Sequence, residues 1–374
     1  MREKDIVILA IFVLLLIVPV LLQNNNYPVN AQDFQNDVAR AERLVDGGDV
    51  RDAGNHYFGR TIMAYAVGVI SLLTKVDCAN IQLVFDWLMI LVACLVVYII
   101  VLKLFGRISG ILAVLASFFC VHSIFISFSS GDIWNIIAIC IVLIPALYFL
   151  SRWLSERKKA HLIIALVLLA VFSSVHPLGL ALPYVIGLFS IGYGIYCLIK
   201  KRYKEAALIG FLFMGIVAVS LLLSHLFIRD TWAWNRIVIS KIQVMFMGLD
   251  TNKISLSNLF YIYITLPVIG LLAIALIEWR KVKEGLESKA QIWFLVLLAC
   301  FIVPFLAASL TGIGIYPIRH AMDGSTLLAI GAGCLVGLVV KGIKEHISWV
   351  KVLLVFLLAV GIIPPTLVWF GIVK

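Results

Sequence analysis

Apolar residues run along this chain in blocks, most of them about 18 to 22 residues and long enough to cross a hydrocarbon core of ~30 Å. They fall near 6–22, 60–74, 82–102, 108–128, 133–150, 162–176, 178–199, 206–228, 257–278, 291–310, 321–340 and 350–371. One polar island, Gln23 to Arg60, separates the first block from the rest. Inside it Phe34, Val38, Ala41 and Val45 stand at spacings of four, three and four, the period of one helical face. The opposite face is charged, and Gly47-Gly48 follows as a left-handed stop. This pattern predicts an amphipathic helix in the membrane interface, holding carboxylates where lipid meets water. The fold class it implies is all-α, a polytopic membrane protein.

The basic stretches Arg152–Lys159, Lys200–Lys204, Trp279–Lys283 and Lys341–Lys344 lie between spans, and the positive-inside rule puts them on one side, the cytoplasm. If the N-terminus is cytoplasmic and all of the first five blocks cross, the Arg152–Lys159 loop falls outside. One block therefore does not cross. The block 60–74 is one of the two shortest, begins at Arg60 and contains Gly68 and Ser71, so it reads as an interfacial or re-entrant helix. Eleven spans result, with the N-terminus cytoplasmic and the C-terminus outside. Asp33, Asp132, the loop 229–256 and the stretch around Arg319 then share the outer face. The chain reads as a single integral membrane unit over 1–374, with 23–81 as a first outer loop carrying interfacial helices and 229–256 as a second long outer loop.

Composition narrows the function classes. Of 374 residues, 63% are hydrophobic and 13% charged, with a mean hydropathy of +1.09, whereas about a quarter of residues are charged in soluble domains. The net charge of +10 sits in short loops between spans and is a topology signal, so no nucleic-acid partner is expected. The run Asp5–Leu22 is longer than a signal-peptide core and leads into Gln23-Asn-Asn-Asn26 without a small-residue cleavage pattern, so a retained signal-anchor is expected. The seven cysteines, Cys78, Cys94, Cys120, Cys140, Cys197, Cys300 and Cys334, are scattered, almost all in apolar runs, with no CxxC. They read as small core residues rather than disulfides or metal ligands.

Several stretches together resemble the GT-C-fold membrane glycosyltransferases, in particular the branch of the protein O-mannosyltransferases and the lipid A aminoarabinose transferase. They are Asp33 through Gly47-Gly48-Asp49, His56-Tyr-Phe-Gly-Arg60, Lys103-Leu-Phe-Gly-Arg107, Phe128-Ser-Ser-Gly-Asp132, Ser173-Ser-Val-His-Pro177 and Ile315-Tyr-Pro-Ile-Arg-His320. The order, side and spacing of these pieces carry the likeness. Two departures stand out: the next acid after Asp33 is Asp37 rather than its neighbour, and Arg60 is followed by Thr61-Ile62 rather than Pro-Pro. No polar domain follows the last span, so the expectation is for this branch rather than a large oligosaccharyltransferase.

The resemblance implies an inverting glycosyltransferase that moves a monosaccharide from a polyprenyl-phosphate donor to a lipid, glycan or protein acceptor at the outer or lumenal face. Such transfer needs an external carboxylate to take the acceptor's proton and cations to stabilise the departing lipid phosphate. Asp33 stands at the position of the family's catalytic acid; it also fits a carboxylate stabilising the first turn of a helix. Asp132 stands where the family has its second acid, to orient the acceptor or share a metal, and equally fits a helix cap. Arg60 and Arg319 are the candidates for the phosphate, since guanidinium forks match its oxygens, and arginine is also an interface anchor. His320, His56, Tyr57 and Asp37 complete the candidate substrate-binding set, with a structural role the plainer reading of Asp37.

Asp86, near the outer end of a span, needs no more than snorkelling or an arginine partner. The branch works without a metal, and no cofactor is firmly implied; two outer carboxylates would suit a divalent ion bound through water and phosphate. The alternatives are a transporter or flippase of a lipid-linked substrate, and a non-catalytic membrane scaffold. Transporters place ionisable groups at mid-membrane and show paired halves, whereas this chain gathers acids at one surface and shows no internal repeat.

Overall fold

The structure, a computed structural model, describes residues 32–49, 58–119, 137–175, 194–204, 207, 210, 266–311, 317–342, 353, 354 and 357. Among the described residues the regular structure is helical, with no strand. The elements are α1 (Gln32–Val45), α2 (Phe58–Thr74), α3 (Cys78–Phe105), α4 (Arg107–Phe119), a π-helical stretch (Ile137–Leu143) running into α5 (Ile144–Glu156), α6 (Lys159–Val175), α7 (Leu266–Ile277), α8 (Trp279–Gly285), α9 (Lys289–Thr311) and α10 (Pro317–Gly342).

Local chemistry sets the breaks between them. At the end of α1 the Gly48 N–H donates to Arg43 O at 2.7 Å and the Gly47 N–H to Leu44 O at 3.1 Å. Gly47 sits at φ +80°, and the two bonds close the helix as a Schellman turn. Lys75, also left-handed, stops α2, and Ser71 Oγ donates to Val76 O at 2.7 Å. Asp77 then caps α3 by accepting from the Ala79 N–H at 2.8 Å. Gly106 at φ +93° breaks α3 from α4, where the sequence shows its basic Leu-Phe-Gly turn. Ser288 and Gln291 form a capping box on α9: the Ser288 N–H donates to Gln291 Oε1 at 2.8 Å and the Gln291 N–H to Ser288 Oγ at 3.2 Å. The π register of 137–143 lies immediately before Pro145, whose ring excludes the α-helical bond to the carbonyl four residues earlier.

α10 is the hub, packed against α4, α9, α7 and α8, while α3 packs on α4, the π stretch, α1 and α2. α5 packs on α6 and α9. The α4–α10 contact is made by small residues. A Cβ on Gly333 would meet the Ala113 backbone, and one on Gly337 would meet Ser109, so the numbering runs in opposite senses and the helices are antiparallel. Ser109 Oγ also donates to Cys334 O on α10 at 3.2 Å. Close backbone approach through small-xxx-small faces is the usual source of helix association in lipid, where apolar side chains have no preference for protein over tails.

Three helices among the described residues are long and apolar enough to cross a membrane: Cys78–Phe105, Ile137–Glu156 and Gly324–Gly342. Shorter apolar helices cover Thr61–Thr74, Arg107–Phe118, Lys159–Phe172, Pro267–Ile277 and Lys289–Ile302. The blocks 6–22, 178–199, 206–228 and 350–371 lie wholly or largely outside the described residues. Two boundaries differ from those the sequence suggests. The fifth block, expected to end at 150, stays helical to Glu156, where Arg152 pairs with Glu156 one turn on and Arg157 adopts the left-handed stop. The basic stretch Trp279–Lys283 is itself a short helix, α8. In both places long charged side chains carry the helix past the apolar run. None of the six described cysteines is in a disulfide, and all but Cys300 are buried.

Gly337→Ala places a methyl against Ser109 and is expected to destabilise the protein by about 1–3 kcal/mol. Gly331→Ala, whose Cβ would meet nothing within 4 Å, is the matched control and should leave the detergent melting midpoint unchanged or slightly raised. Thermal unfolding of the two variants side by side checks this.

Candidate functional site

The amphipathic helix α1 is seated in protein. Phe34, Val38 and Ala41 are buried as their spacing predicts, but Val45 is exposed. The buried face instead widens to take in Asp37 and Arg40, each 4% exposed. Arg40 Nη1 donates to Asp37 Oδ1 at 2.6 Å, an i, i+3 ion pair shielded from solvent. The expectation of one apolar and one charged face is corrected here: helical periodicity marks apolar positions and misses polar ones that a partner helix covers.

Two neighbours cover them. α1 packs on α2, where a Cβ on Gly68 would lie 2.9 Å from Ala41 O and 2.9 Å from Leu44 Cδ2. It also packs on α3, which carries Gln82, 1% exposed, and Asp86, 2% exposed. Gln82 Nε2 donates to Asp86 Oδ1 at 2.8 Å, and Asp37 is near enough to act electrostatically on Asp86. The sequence alone predicts a snorkelling or arginine-paired Asp86. The structure buries it beside a glutamine and within reach of the acid on α1. The signal that could have found this is the Gln82–Asp86 spacing of four inside an apolar block, which stacks two polar side chains on one helical face.

This cluster sits toward the Cys78 end of α3. The other end of α3 meets basic chemistry. Gln291 Nε2 donates to Leu104 O at 2.6 Å, Phe105 packs on Phe294 at 6.1 Å between centroids, and Lys341 Nζ bridges to Glu287 at 3.2 Å. The turns at Gly106 and 286–288 and the end of α10 therefore gather at one end of the bundle, with Lys103, Arg107, Lys281 and Lys341 nearby. From Asp86 to Leu104 the helix rises by about 27 Å, so acids and bases are held a hydrocarbon thickness apart. Because α10 runs antiparallel to α4, its first turn lies away from the Lys341 end.

The remaining candidates are placed as follows. Asp33 is in the first turn of α1, one turn before Asp37. Arg60 is in the first turn of α2. Arg319 and His320 open α10, at the end of that helix opposite the basic turns. Asp132, His56 and Tyr57 lie outside the described residues. Among the described residues no three His, Cys, Asp or Glu side chains stand close enough to hold one metal ion, so a divalent ion shared by Asp33 and Asp132 would draw on residues beyond them.

No family model and no curated protein matches the sequence. The fold is similar to that of archaeal oligosaccharyltransferase AglB from Archaeoglobus fulgidus, solved in complex with an inhibitory peptide and a dolichol-phosphate. The TM-score is 0.56 and the identity 13%, over 99% of this chain and 56% of that one. The apo form of the Archaeoglobus fulgidus oligosaccharyltransferase aligns at a TM-score of 0.51 and 12% identity, over 98% of this chain and 55% of the other. This chain thus spans little more than half the length of the proteins it resembles. What it shares with them is the fold.

Removing one partner of a buried ion pair leaves an uncompensated charge, at about 3–5 kcal/mol. Arg40→Met is therefore expected to destabilise the protein by several kcal/mol, and the double variant Asp37→Leu/Arg40→Met by less than that single one. Unfolding midpoints of the two in the same detergent test the order.

Proposed function

We propose that this protein is a membrane glycosyltransferase that moves a monosaccharide from a polyprenyl-phosphate donor to an acceptor at the outer or lumenal face, through eleven spans with the N-terminus cytoplasmic. The observation that carries the reading is the likeness of fold to an oligosaccharyltransferase over 99% of this chain. That neighbour is bound to a dolichol-phosphate, which supports a lipid-linked donor here. The separation of the Asp37–Asp86 end from the basic turns supports an outer site, since basic turns favour the cytoplasm. The packing of α2 chiefly on α1 supports counting both in the first outer loop.

In this reading Asp33 takes the proton of the acceptor hydroxyl as its oxygen attacks the anomeric carbon. The new C–O bond forms as the bond to the phosphate oxygen breaks, the configuration inverts, and the lipid phosphate leaves with the electron pair. Arg60 and Arg319, with His320, stabilise the charge that develops on it. Asp132 orients the acceptor, and His56 and Tyr57 line the donor side. The O-mannosyltransferase and aminoarabinose-transferase branch remains the proposed one for the sugar-transfer chemistry, since it needs one sugar and no metal.

A second reading, transport of a lipid-linked substrate, draws on Asp86, an ionisable group inside an apolar helix. The same assay separates them. Labelled sugar is offered on a panel of polyprenyl phosphates in membranes holding equal amounts of each protein. Asp33→Asn is expected to abolish transfer, Asp132→Asn to impair it less, and Arg60→Ala to raise the donor KM about tenfold or more. Equal labelling by wild type and Asp33→Asn would remove Asp33 as the base. Movement of the lipid across the bilayer without any transfer would favour the transporter.

A further inference from the structure

We propose that the outward face of α2 docks in the hydrocarbon of the bilayer, with α1 lying over the helix as its water-facing cover. The polarity of α2 is inverted. Thr61 and Ser71 are buried, while Ile62, Tyr65, Val69, Leu72 and Leu73 are exposed, Val69 at 46% and Leu73 at 78%. Ile62, Tyr65, Val69 and Leu72 stand at spacings of three, four and three, so they share one face of the helix. No charged residue lies between Thr61 and Thr74. A helix resting on a membrane surface turns an apolar face to lipid and a polar face to water, and α2 has no polar face to turn.

α1 supplies it. Phe34, Val38 and Ala41 are buried, so the apolar stripe of α1 is spent on protein, while Gln35, Asn36, Glu42, Arg43 and Asp46 are exposed. The helix packs on α2 at Gly68, where an added Cβ would lie 2.9 Å from Ala41 O. The two helices thus divide between them the faces that a single interfacial helix carries alone.

The water boundary comes where α2 ends. Thr74, Lys75, Asp77 and Asn80 are exposed around the turn into α3. Beyond that turn the exposed side chains are apolar again, Val84 and Leu88, on a helix long enough to cross a membrane. Lipid covers α3 at these positions, and the apolar exposure of α2 continues that surface across one polar turn. From Ile62 to Leu73 the helix rises about 16 Å, half of a ~30 Å hydrocarbon core, so the acyl chains of one leaflet are enough to cover it. Ser71 Oγ donates to Val76 O and Thr74 Oγ1 to Ile70 O, both at 2.7 Å, which satisfies these hydroxyls at the edge of the lipid.

The test places a nitroxide, through a genetically encoded keto amino acid, at Val69 or Leu73 of α2 and at Glu42 or Asp46 of α1, in the full-length protein in phosphatidylcholine nanodiscs with its own cysteines in place. Relaxation by oxygen, which concentrates in lipid, is compared with relaxation by a water-soluble nickel chelate. The chelate should relax the α2 labels about tenfold or more weakly than the α1 labels, as a polar solute is excluded from hydrocarbon, and oxygen should relax the α2 labels strongly. Chelate access at Val69 equal to that at Glu42 overturns the proposal, because α2 then lies in water. Silence of the α2 labels to both reagents overturns it too, because protein or a second copy then covers the face. Oxygen-dominated relaxation at Glu42 and Asp46 removes α1 as the cover. If the Val69 variant is not monodisperse, the label at Leu73, the more exposed position, decides. The labels report depth whether or not the protein transfers sugar, so failure of the glycosyltransferase reading leaves the outcome intact.

Discussion

The close approach of α4 and α10 is the constraint on which the rest of the bundle depends. Lipid tails are as apolar as the helices they surround, so burying leucine against leucine gives no association in the membrane. What does is the absence of side chain at Gly333 and Gly337, which lets α10 lie against Ser109 and Ala113 and brings Ser109 Oγ to Cys334 O. α10 in turn packs on α9, α7 and α8. Any slip along this seam would move all three relative to α3 and α4. It would also displace Arg319 and His320, since they ride on the first turn of the same helix.

A second consequence is electrical polarity. The Gly106 turn, the capping box at Ser288–Gln291 and the Lys341–Glu287 bridge are tied together by direct hydrogen bonds, so one end of the bundle collects lysine and arginine. Asp37 and Asp86 are collected at the other end of α3. Ion pairs such as Lys341–Glu287, both exposed, contribute little to stability. Cationic turns favour the cytoplasmic side during insertion, and the proposed topology places this end of the bundle there.

Much of this was legible in the chain. The spacing of Phe34, Val38 and Ala41 marks α1, Gly47 marks its end, and the basic Leu-Phe-Gly turn marks the break at Gly106. Long apolar blocks mark α3 and α5. What escaped was the polar side of burial. Asp37, Arg40, Gln82 and Asp86 are solvent-seeking by type, and the packing of α1 on α2 and α3, which has no periodic signature in the sequence, accounts for their burial. The helical extension to Glu156 escaped for a related reason: hydropathy ends a span at the last apolar residue, whereas the backbone ends where Arg157 turns left-handed. The Ser288–Gln291 box, by contrast, is a readable local motif in the sequence that hydropathy alone passes over.

The two acids of α1 show how burial divides roles that spacing leaves equal. Asp33 and Asp37 are one turn apart and, as sequence, either could serve as a base. A base must reach the acceptor's proton and must be able to pass it on afterwards, which requires access to substrate and to water. Asp37 is buried and bonded to Arg40, where its charge is compensated. The division of labour therefore follows from where α3 lies. By covering the turn at Asp37, it turns one of two carboxylates one turn apart into part of the packed interior, and the proposed mechanism accordingly assigns the base to Asp33.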